Sequence, residues 1–180
     1  MDRVIKFSEE KKIYLRPFDE KKDLELFQFG KNNSEVRNTL FLFRPLSEQD
    51  ALAEANKWNM NKENVLFTIC EQNGDEPIGE TGLFRIDYIS RAAIFYIAIY
   101  DSKYWSRGFG SEATKLVLNY SFDILNLNRV QLHVAASNLG GLKIYEKCGF
   151  KIEGTLREAI YHNNEYVDFF CDGNIKERLL

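Results

Sequence analysis

The sequence predicts an α/β fold of the α+β kind, a single domain in which a mixed, mostly antiparallel sheet carries helices on both faces. The first observation is the order of apolar periodicities, which gives one strand, two helices, three strands, a helix, a strand, a helix and two strands. The second is the helix between the fourth and fifth strands, because such a crossover makes those strands parallel. The third is size, since 180 residues with 44% hydrophobic content suffice for one core over residues 1–180.

Turn and cap residues divide the chain into these elements. The predicted strands are 13–17, 65–71, 77–88, 92–100, 129–136, 151–161 and 165–171. The predicted helices are 19–30, 47–58, one that contains Ala113, and 139–147. Ser47 and Asp50 have the spacing of a capping box, and Gly149 fits a left-handed C-cap. The third helix is predicted to bury a stripe at helical spacing: Ala113, Leu116, Val117, Tyr120 and Ile124.

The composition excludes several classes of protein. A net charge of −3 and a pI near 5.5 give no general attraction to nucleic acid or to an anionic membrane. The three cysteines are far apart, so neither a disulfide framework nor a metal site is expected, and Cys70 has the pattern of a core residue. The N-terminus does not resemble a signal peptide, and no apolar run is long enough for a membrane span. We therefore expect a cytoplasmic protein.

Two aromatic-rich segments admit more than one interpretation. The segment from Val36 to Leu46 is expected first to belong to the core, but it can also wall a ligand pocket or form a dimer contact. The last hairpin carries Tyr161, Tyr166, Phe169 and Phe170. Core packing is again the first interpretation of these four residues, and an acceptor pocket or a dimer face is the alternative.

A glycine-containing loop before the third helix has the features of a phosphate site. Gly108 and Gly110 leave the backbone uncovered, so successive N–H groups at the helix start can surround an anion. The helix dipole and Arg107 add positive potential at the same place. The simpler alternative is that both glycines serve only packing and entry into the helix.

Two nucleotide-binding interpretations of this loop are weak. Gly108, Gly110 and Ala113 fit the spacing of the dinucleotide fingerprint, which requires a carboxylate at the end of the next strand. That strand ends in Ser137 and Asn138. The sequence also has no Gly-x-x-x-x-Gly-Lys-Ser/Thr motif of a P-loop.

A second motif, Asn138 to Phe150, follows one strand after the loop. Together with Tyr104 to Ala113, it resembles the acyl-CoA signature of the GCN5-related N-acetyltransferases (GNAT), and the resemblance covers nearly the whole chain. Within that superfamily the chain is similar to the branch of ribosomal-protein N-terminal acetyltransferases and spermidine or diamine acetyltransferases. The resemblance implies a GNAT-like domain that moves an acetyl group from acetyl-CoA to a primary amine, either a protein N-terminal α-amine or a small polyamine. A non-catalytic CoA-binding regulatory module is the alternative, and a homodimer or larger assembly is one option.

The resemblance also assigns roles to individual residues. It implies that the coenzyme A pyrophosphate is held by the backbone amides of Trp105, Ser106, Arg107, Gly108, Phe109, Gly110 and Ser111. It implies that the pantetheine arm pairs with the strand at Ile97, Ala98 and Ile99 and is contacted by Asn138 and Lys147. It places Tyr145 at the sulfur. Ile94 stands where many relatives have a glutamate, which leaves the acceptor site open, and Gly141 stands where the family usually has alanine.

The chemistry requires a proton donor and a proton acceptor. An alkyl ammonium has a pKa of about 10 and a leaving thiol one of about 8.5, so the amine must lose a proton and the thiolate must gain one. The phenol of Tyr145 suits the general acid, although an aromatic side chain there can simply pack the helix on the sheet. The base is left open among Glu80, Asp87, Asp101 and His133. The carboxylates are expected first to be solvated surface groups, and His133 is as readily a structural histidine as a base.

Overall fold

The structure, a computed structural model, describes residues 5–176 of the chain. This part contains eight strands: β1 (Ser8–Glu9), β2 (Ile13–Pro17), β3 (Val65–Glu71), β4 (Pro77–Asp87), β5 (Ala92–Ile99), β6 (Arg129–Ala135), β7 (Lys151–His162) and β8 (Glu165–Ile175). They form one sheet in the order β1-β2-β3-β4-β5-β6-β8-β7. Neighbouring strands are antiparallel except β5 and β6, which are parallel as the crossover predicts.

Five α-helices connect these strands within the described residues: α1 (Glu20–Asn32), α2 (Ser34–Leu40), α3 (Glu48–Met60), α4 (Phe109–Asn119) and α5 (Leu139–Lys147). Their ends follow from side-chain caps. Asp19 accepts a hydrogen bond from the backbone of Lys21, and Ser47 and Asp50 form the predicted capping box. Gly149 has φ +88° after α5, as a left-handed C-cap requires. No helix in residues 5–176 is both long and apolar enough to cross a bilayer.

The side chains of β5 alternate between two covered faces of the sheet. Phe95, Ile97 and Ile99 pack into the larger apolar cluster together with α4 and α5; we call this side the α4 face. Tyr96, Ala98 and Tyr100 pack into a second cluster beneath α1, α2 and α3; we call this side the α1 face. Each fully buried large apolar side chain in these clusters contributes roughly 1.5–3 kcal/mol. The predicted mixed, mostly antiparallel sheet with helices on both faces is confirmed.

Several details differ from the sequence predictions. The short first strand, β1, was not predicted. Helix α2 was not predicted either: Asn33, three residues beyond the predicted end of the first helix, accepts a hydrogen bond from the backbone of Glu35 and so starts a further helix. Ile124 is 68% exposed, so its predicted place in the buried stripe is wrong. The cause is a π-helical turn at Tyr120–Ile124, closed by a hydrogen bond of 3.0 Å from the Leu125 amide to the Tyr120 carbonyl, which turns Ile124 away from the core. Strand β8 also continues to Ile175, beyond its predicted end.

Candidate active site

The parallel strands β5 and β6 separate soon after they pair. Only three residue pairs join them, from Ala92 opposite Arg129 to Ile94 opposite Gln131, although both strands continue. From Phe95 onward, the edge of β5 that faces β6 has no strand partner within residues 5–176. Backbone groups on such an edge need a hydrogen-bond partner, and an extended ligand supplies one in the way that an added strand does. We call this opening the gap.

The backbone of β5 alternates between β4 and the gap. The Ala98 carbonyl lies against Gly79 of β4, where an added Cβ would come within 2.1 Å of it. The backbone N–H and C=O groups of Ala98 therefore point toward β4. Because this direction alternates from one residue to the next along a strand, the backbone groups of Ile97 and Ile99 point toward the gap. The Ile99 carbonyl accepts a hydrogen bond of 3.1 Å from the indole of Trp105. Of the three strand residues predicted to meet the cofactor arm, Ile97 and Ile99 have the orientation that pairing needs.

The predicted phosphate loop forms the start of α4 at the wide end of the gap. Gly108 is the N-cap residue with φ +91°, and no side chain in the described part of the chain caps this helix. The first N–H groups of the helix therefore remain available as donors. Phe109 is buried and packs edge-on against Tyr104, with ring centroids 5.6 Å apart, which anchors the loop. Gly108 supplies the left-handed conformation that exposes the N–H groups at the helix start. These N–H groups can bind an anion such as a pyrophosphate.

The two glycines of the loop have different roles. A Cβ on Gly110 would lie 3.0 Å from Cδ1 of Ile144, so this glycine lets α4 approach α5 closely. For Gly110 the simple packing interpretation is thus supported. Gly108 is needed for its positive φ, which exposes the backbone amides that follow it.

The turn between β1 and β2 completes the loop, a contact that no local sequence pattern indicates. Lys12 donates from Nζ to the Arg107 carbonyl at 2.6 Å, and its backbone amide donates to the Glu112 carboxylate at 2.8 Å. A cavity of about 220 Å³ beside the loop is lined by Lys11, Lys12, Glu71, Asn73, Arg107 and Phe109. The guanidinium of Arg107 lies 5.2 Å from the centre of the Phe109 ring. Three cationic side chains therefore surround the wide end of the gap.

Asn138 begins the second motif as the N-cap of α5. Its Oδ1 accepts a hydrogen bond of 2.9 Å from the Gly141 amide. A Cβ on Gly141 would lie 3.0 Å from Asn138 Nδ2, which explains a glycine at this position. The cap uses Oδ1 alone, so Nδ2 remains for the predicted contact with the cofactor arm. Lys147 lies exposed in the last turn of α5.

Tyr145 lies at the narrow end of the gap on the α4 face. Its ring packs edge-on against Phe95, the first residue of β5 beyond the last pair with β6, with centroids 6.3 Å apart. Burial raises the pKa of Tyr145 well above its ordinary value, and the negative charges of Asp172 and Cys148 raise it further. Asp172 is itself buried, and its Oδ1 has no hydrogen-bond partner in residues 5–176. Tyr145 therefore both packs α5 on the sheet and stays protonated at neutral pH.

The candidate bases occupy very different environments. Glu80 is only 3% exposed, so the expectation that it is a solvated surface group is wrong: α1 and α3 cover this part of β4. Asp87 accepts hydrogen bonds from the amides of Ile89 and Ser90, and Asp101 accepts one from Lys103. These hydrogen bonds lower the pKa values of Asp87 and Asp101. The two aspartates cap turns and have the exposed, local roles that were expected.

The α1 face is open beside the gap. His133 is exposed there, because its neighbours in β6 face the α4 side. After α2 the chain crosses this opening: Phe41 packs against Phe169, with centroids 5.1 Å apart, and against His162 at 4.9 Å. Phe43 is 65% exposed. The core interpretation of the segment from Val36 to Leu46 thus holds for Val36, which is buried, and for Leu40 and Leu46, which pack against the same cluster. Phe41 instead forms a wall of the opening.

The aromatic hairpin is divided in the same way. Tyr161 and Tyr166 are 55% and 65% exposed, so core packing is the wrong interpretation for both. Phe170 packs against the core of the α4 face, while Phe169 meets Phe41 on the α1 face. The hairpin is therefore both a wall of the opening and an exposed surface.

Comparison with known proteins gives a consistent result. Residues 12–151 match the family model described as an acetyltransferase (GNAT) domain. Spermidine N(1)-acetyltransferase of Vibrio cholerae is 33% identical over 149 residues, which are 83% of this chain and 85% of that protein. The crystal structure of spermidine N-acetyltransferase from Vibrio cholerae in complex with CoA and spermine superposes with a TM-score of 0.82 at 30% identity, covering 91% of this chain and 95% of that one. A dodecameric structure of that enzyme has a TM-score of 0.76 at 31% identity and covers 91% and 93%.

Proposed function

We propose that this chain, which belongs to the family of acetyltransferase (GNAT) domains and is an N-acetyltransferase that uses acetyl-CoA, transfers the acetyl group directly to a primary amine bound on the α1 face of the gap. One observation carries the proposal. The gap between β5 and β6 has an uncapped, glycine-started helix at its wide end and a protonated tyrosine at its narrow end. The thioester is the reactive group that acetyl-CoA supplies when it is bound.

The residues of the gap fit each part of that cosubstrate. The amides from Ser106 to Ser111 would hold the pyrophosphate, with Arg107 and Lys12 as nearby cations. The predicted role of the Trp105 amide is wrong, because this amide donates to the Ser102 carbonyl at 3.0 Å. The backbone of Ile97 and Ile99 would pair with the pantetheine arm, and Asn138 Nδ2 would contact the arm from the other side of the gap. This arrangement brings the acyl end toward Phe95 and Tyr145.

The reaction then requires two proton movements. The amine nitrogen attacks the carbonyl carbon, a C–N bond forms, and the C–S bond breaks. Tyr145 gives its proton to the departing thiolate, and the phenol is available as this donor because it is protonated at neutral pH. In the described part of the chain no serine or cysteine pairs with a histidine, in keeping with transfer that needs no acyl-enzyme.

A polyamine is the first candidate acceptor. The spermidine acetyltransferase of Vibrio cholerae resembles this chain over most of its length in both sequence and structure, which supports a polyamine here. A peptide N-terminus is the second candidate, because the α1 face near the gap is apolar and aromatic. Trp58 packs there against Phe84 and Tyr96, with ring centroids 5.7 and 5.9 Å apart. At the narrow end of the gap, Ile94 stands where many relatives have a glutamate.

The experiment is thiol release from acetyl-CoA with a panel of amines. Spermidine, spermine, short peptides with free N-termini and the same peptides with blocked N-termini are compared at equal concentration. Turnover of polyamines is the expected result, and turnover of free but not blocked peptides would instead select the second candidate. An enzyme that binds acetyl-CoA and acetylates none of them would contradict both acceptors. Failure to bind acetyl-CoA would contradict the proposed cofactor site.

We further propose a cytoplasmic assembly of at least two copies, with residues 1–180 of each copy as one catalytic domain. Strand β7 is an edge strand, and the exposed apolar side chains of its hairpin include Ile152, Leu156, Tyr161 and Tyr166. A dodecamer of the Vibrio cholerae relative supports a larger assembly here. Light scattering on the preparation used for the panel gives the size, and a monomer would contradict the assembly.

A further inference from the structure

A buried polar cluster lies on the α1 face beneath α1 and α3. Glu80 and Lys31 are 3% and 5% exposed, and their charged groups lie 3.3 Å apart. Lys31 also pairs at 2.5 Å with Glu54, whose side chain reaches solvent. Tyr96 and Tyr100 of β5 complete the cluster. Burying a charged group costs free energy unless an opposite charge pairs with it. Lys31 is shared between two carboxylates, so the burial of Glu80 as a second partner needs an explanation.

The two oxygens of Glu80 have different surroundings. Oε1 faces the ammonium of Lys31. Oε2 is buried and has no hydrogen-bond partner in residues 5–176, and the hydroxyl of Tyr100 is in the same condition. A buried carboxylate oxygen without a hydrogen-bond partner can still accept a hydrogen bond or a proton. Protonation of Oε2 would remove the cost of leaving this oxygen unpaired.

Tyr96 links this carboxylate to the gap. In the sheet Glu80 lies opposite Ala98, so Tyr96 and Tyr100 flank it on the same face, two residues to either side. Ile94 is the last β5 residue paired with β6. Tyr96, two residues later, is therefore the first β5 side chain on the α1 face beyond the narrow end of the gap. Tyr96 is half-buried, and its ring packs against Trp58 of α3 with centroids 5.9 Å apart.

The established reaction needs a group in this position. The amine arrives protonated and must lose a proton before it attacks. The α4 face is filled by α4 and α5, so the amine reaches the gap from the α1 face, where Tyr96 is the nearest ionisable side chain of β5. We propose, on the basis of the proposed function, that Glu80 accepts this proton through Tyr96, and that Glu80 is a positioning and relay residue rather than one that touches the substrate.

The protons balance in this scheme. The step requires the Tyr96 hydroxyl to reach Oε2 of Glu80, an oxygen without a hydrogen-bond partner in residues 5–176. The ammonium then gives one proton to the Tyr96 oxygen while the Tyr96 hydroxyl proton passes to this Oε2, and that proton later leaves to solvent. After the C–N bond forms, the nitrogen loses its second proton, which restores the Tyr145 phenol that protonated the thiolate. One proton is released for each amide formed, as the overall reaction requires.

The surroundings set the direction of the pH dependence. Burial raises the pKa of Glu80, while the charge of Lys31 opposes that rise. Lys31 faces Glu80 from α1, Glu54 lies beyond it on α3, and Tyr96 and Tyr100 face it from β5. On the β3 side the facing residue is Thr68, which bonds to Asp23, and Asp23 is paired with Arg16. Because the base acts when deprotonated, wild-type activity falls below the raised pKa of Glu80 and is level above it until the amine itself deprotonates.

The test is the pH profile of kcat/KM for Glu80→Gln, with the amine that the acceptor panel turns over fastest. Failure of the proposed function is seen in that panel, whereas failure of the relay is seen only here. We expect the variant to lose about 100-fold at pH 7. We also expect its log kcat/KM to rise with a slope of about one toward the amine pKa, because only neutral amine reacts. Acetyl-CoA affinity stays unchanged, and Lys31 keeps its pair with Glu54.

Two further variants make the result specific. Tyr96→Phe removes the link without removing a charge, and it should give the same sloped profile even if Glu80→Gln fails to fold. Asp87→Asn changes an exposed carboxylate on the same strand and should keep the level profile of the wild type. An equal loss at every pH in Glu80→Gln or Tyr96→Phe, or no loss at all, would overturn the relay.

Discussion

The two faces of the sheet build their parts of the site in different ways. On the α4 face, the helix start, Asn138 and Tyr145 lie within one stretch of fewer than 50 residues, 104–150, and the anion site is made largely from backbone. On the α1 face, the polar cluster joins Lys31 of α1, Glu54 of α3, Glu80 of β4 and Tyr96 of β5. The first face therefore depends on local conformation, and the second on packing between distant segments.

This difference explains why the sequence supports a prediction for the cofactor half of the reaction and leaves the proton acceptor open. A phosphate recognised by backbone amides requires particular local residues, above all glycine at a positive φ. A proton acceptor requires a carboxylate in a particular environment, and burial is set by whatever helix happens to cover it. The predictions below test the local half of the comparison in order of expected effect.

The largest effect is expected for Tyr145→Phe. Loss of the phenolic proton should lower kcat by about 10²–10⁴-fold, while the ring still packs against Phe95 and the KM for acetyl-CoA stays the same. Steady-state kinetics measure both constants. Tyr120→Phe is the matched control, since Tyr120 packs with Phe67 on the same face away from the gap. A change of less than threefold in kcat would remove Tyr145 from the role of general acid.

A smaller effect is expected for Gly108→Ala. The N-cap conformation at φ +91° costs about 1–2 kcal/mol for a residue with a Cβ, and the Cβ would lie 3.2 Å from Lys12 Nζ. Acetyl-CoA should bind roughly 5–30-fold more weakly, as isothermal titration calorimetry measures. Gly154→Ala is the control, because nothing lies within 4 Å of a Cβ there. Equal affinities for the two variants would show that the loop backbone does not hold the cofactor.

The smallest effect is expected at Asn138, where two variants separate two roles. Asn138→Ala removes the cap of α5 and should cost about 1 kcal/mol of unfolding free energy. Asn138→Asp keeps an accepting oxygen but removes the Nδ2 donor, so it should keep the melting temperature. Both should raise the KM for acetyl-CoA by roughly 2–12-fold, the value of one hydrogen bond. A wild-type KM in Asn138→Asp would leave Asn138 as a cap alone.

The same contrast describes how far sequence reasoning reached. The capping box at Ser47, the C-cap at Gly149 and the bounds of α5 follow from residues within a few positions of each other, and all three were predicted correctly. The burial of Glu80 was missed because it depends on helices that are distant in the sequence. Helix α1 ends at Asn32, 48 positions before Glu80, and α3 ends at Met60, 20 positions before it. The wall formed by Phe41 was left among alternatives for the same reason, since its partner is Phe169. Tertiary contact decided these cases, and no local pattern encodes it.

The short pairing of β5 with β6 also has a mechanical consequence. The strands from β1 to β5 and the strands from β6 to β8 form two halves of one sheet, and only three residue pairs join the two halves within the sheet. The other connections come from helices packed on the α4 face and from side chains such as Phe41 against Phe169. A ligand that pairs along the open edge of β5 takes the place of a further strand. Its binding free energy then adds to the stability of the contact between the two halves of the sheet. Acetyl-CoA bound in the proposed way would therefore also hold the two halves of the sheet together, and this connection would be renewed with every turnover.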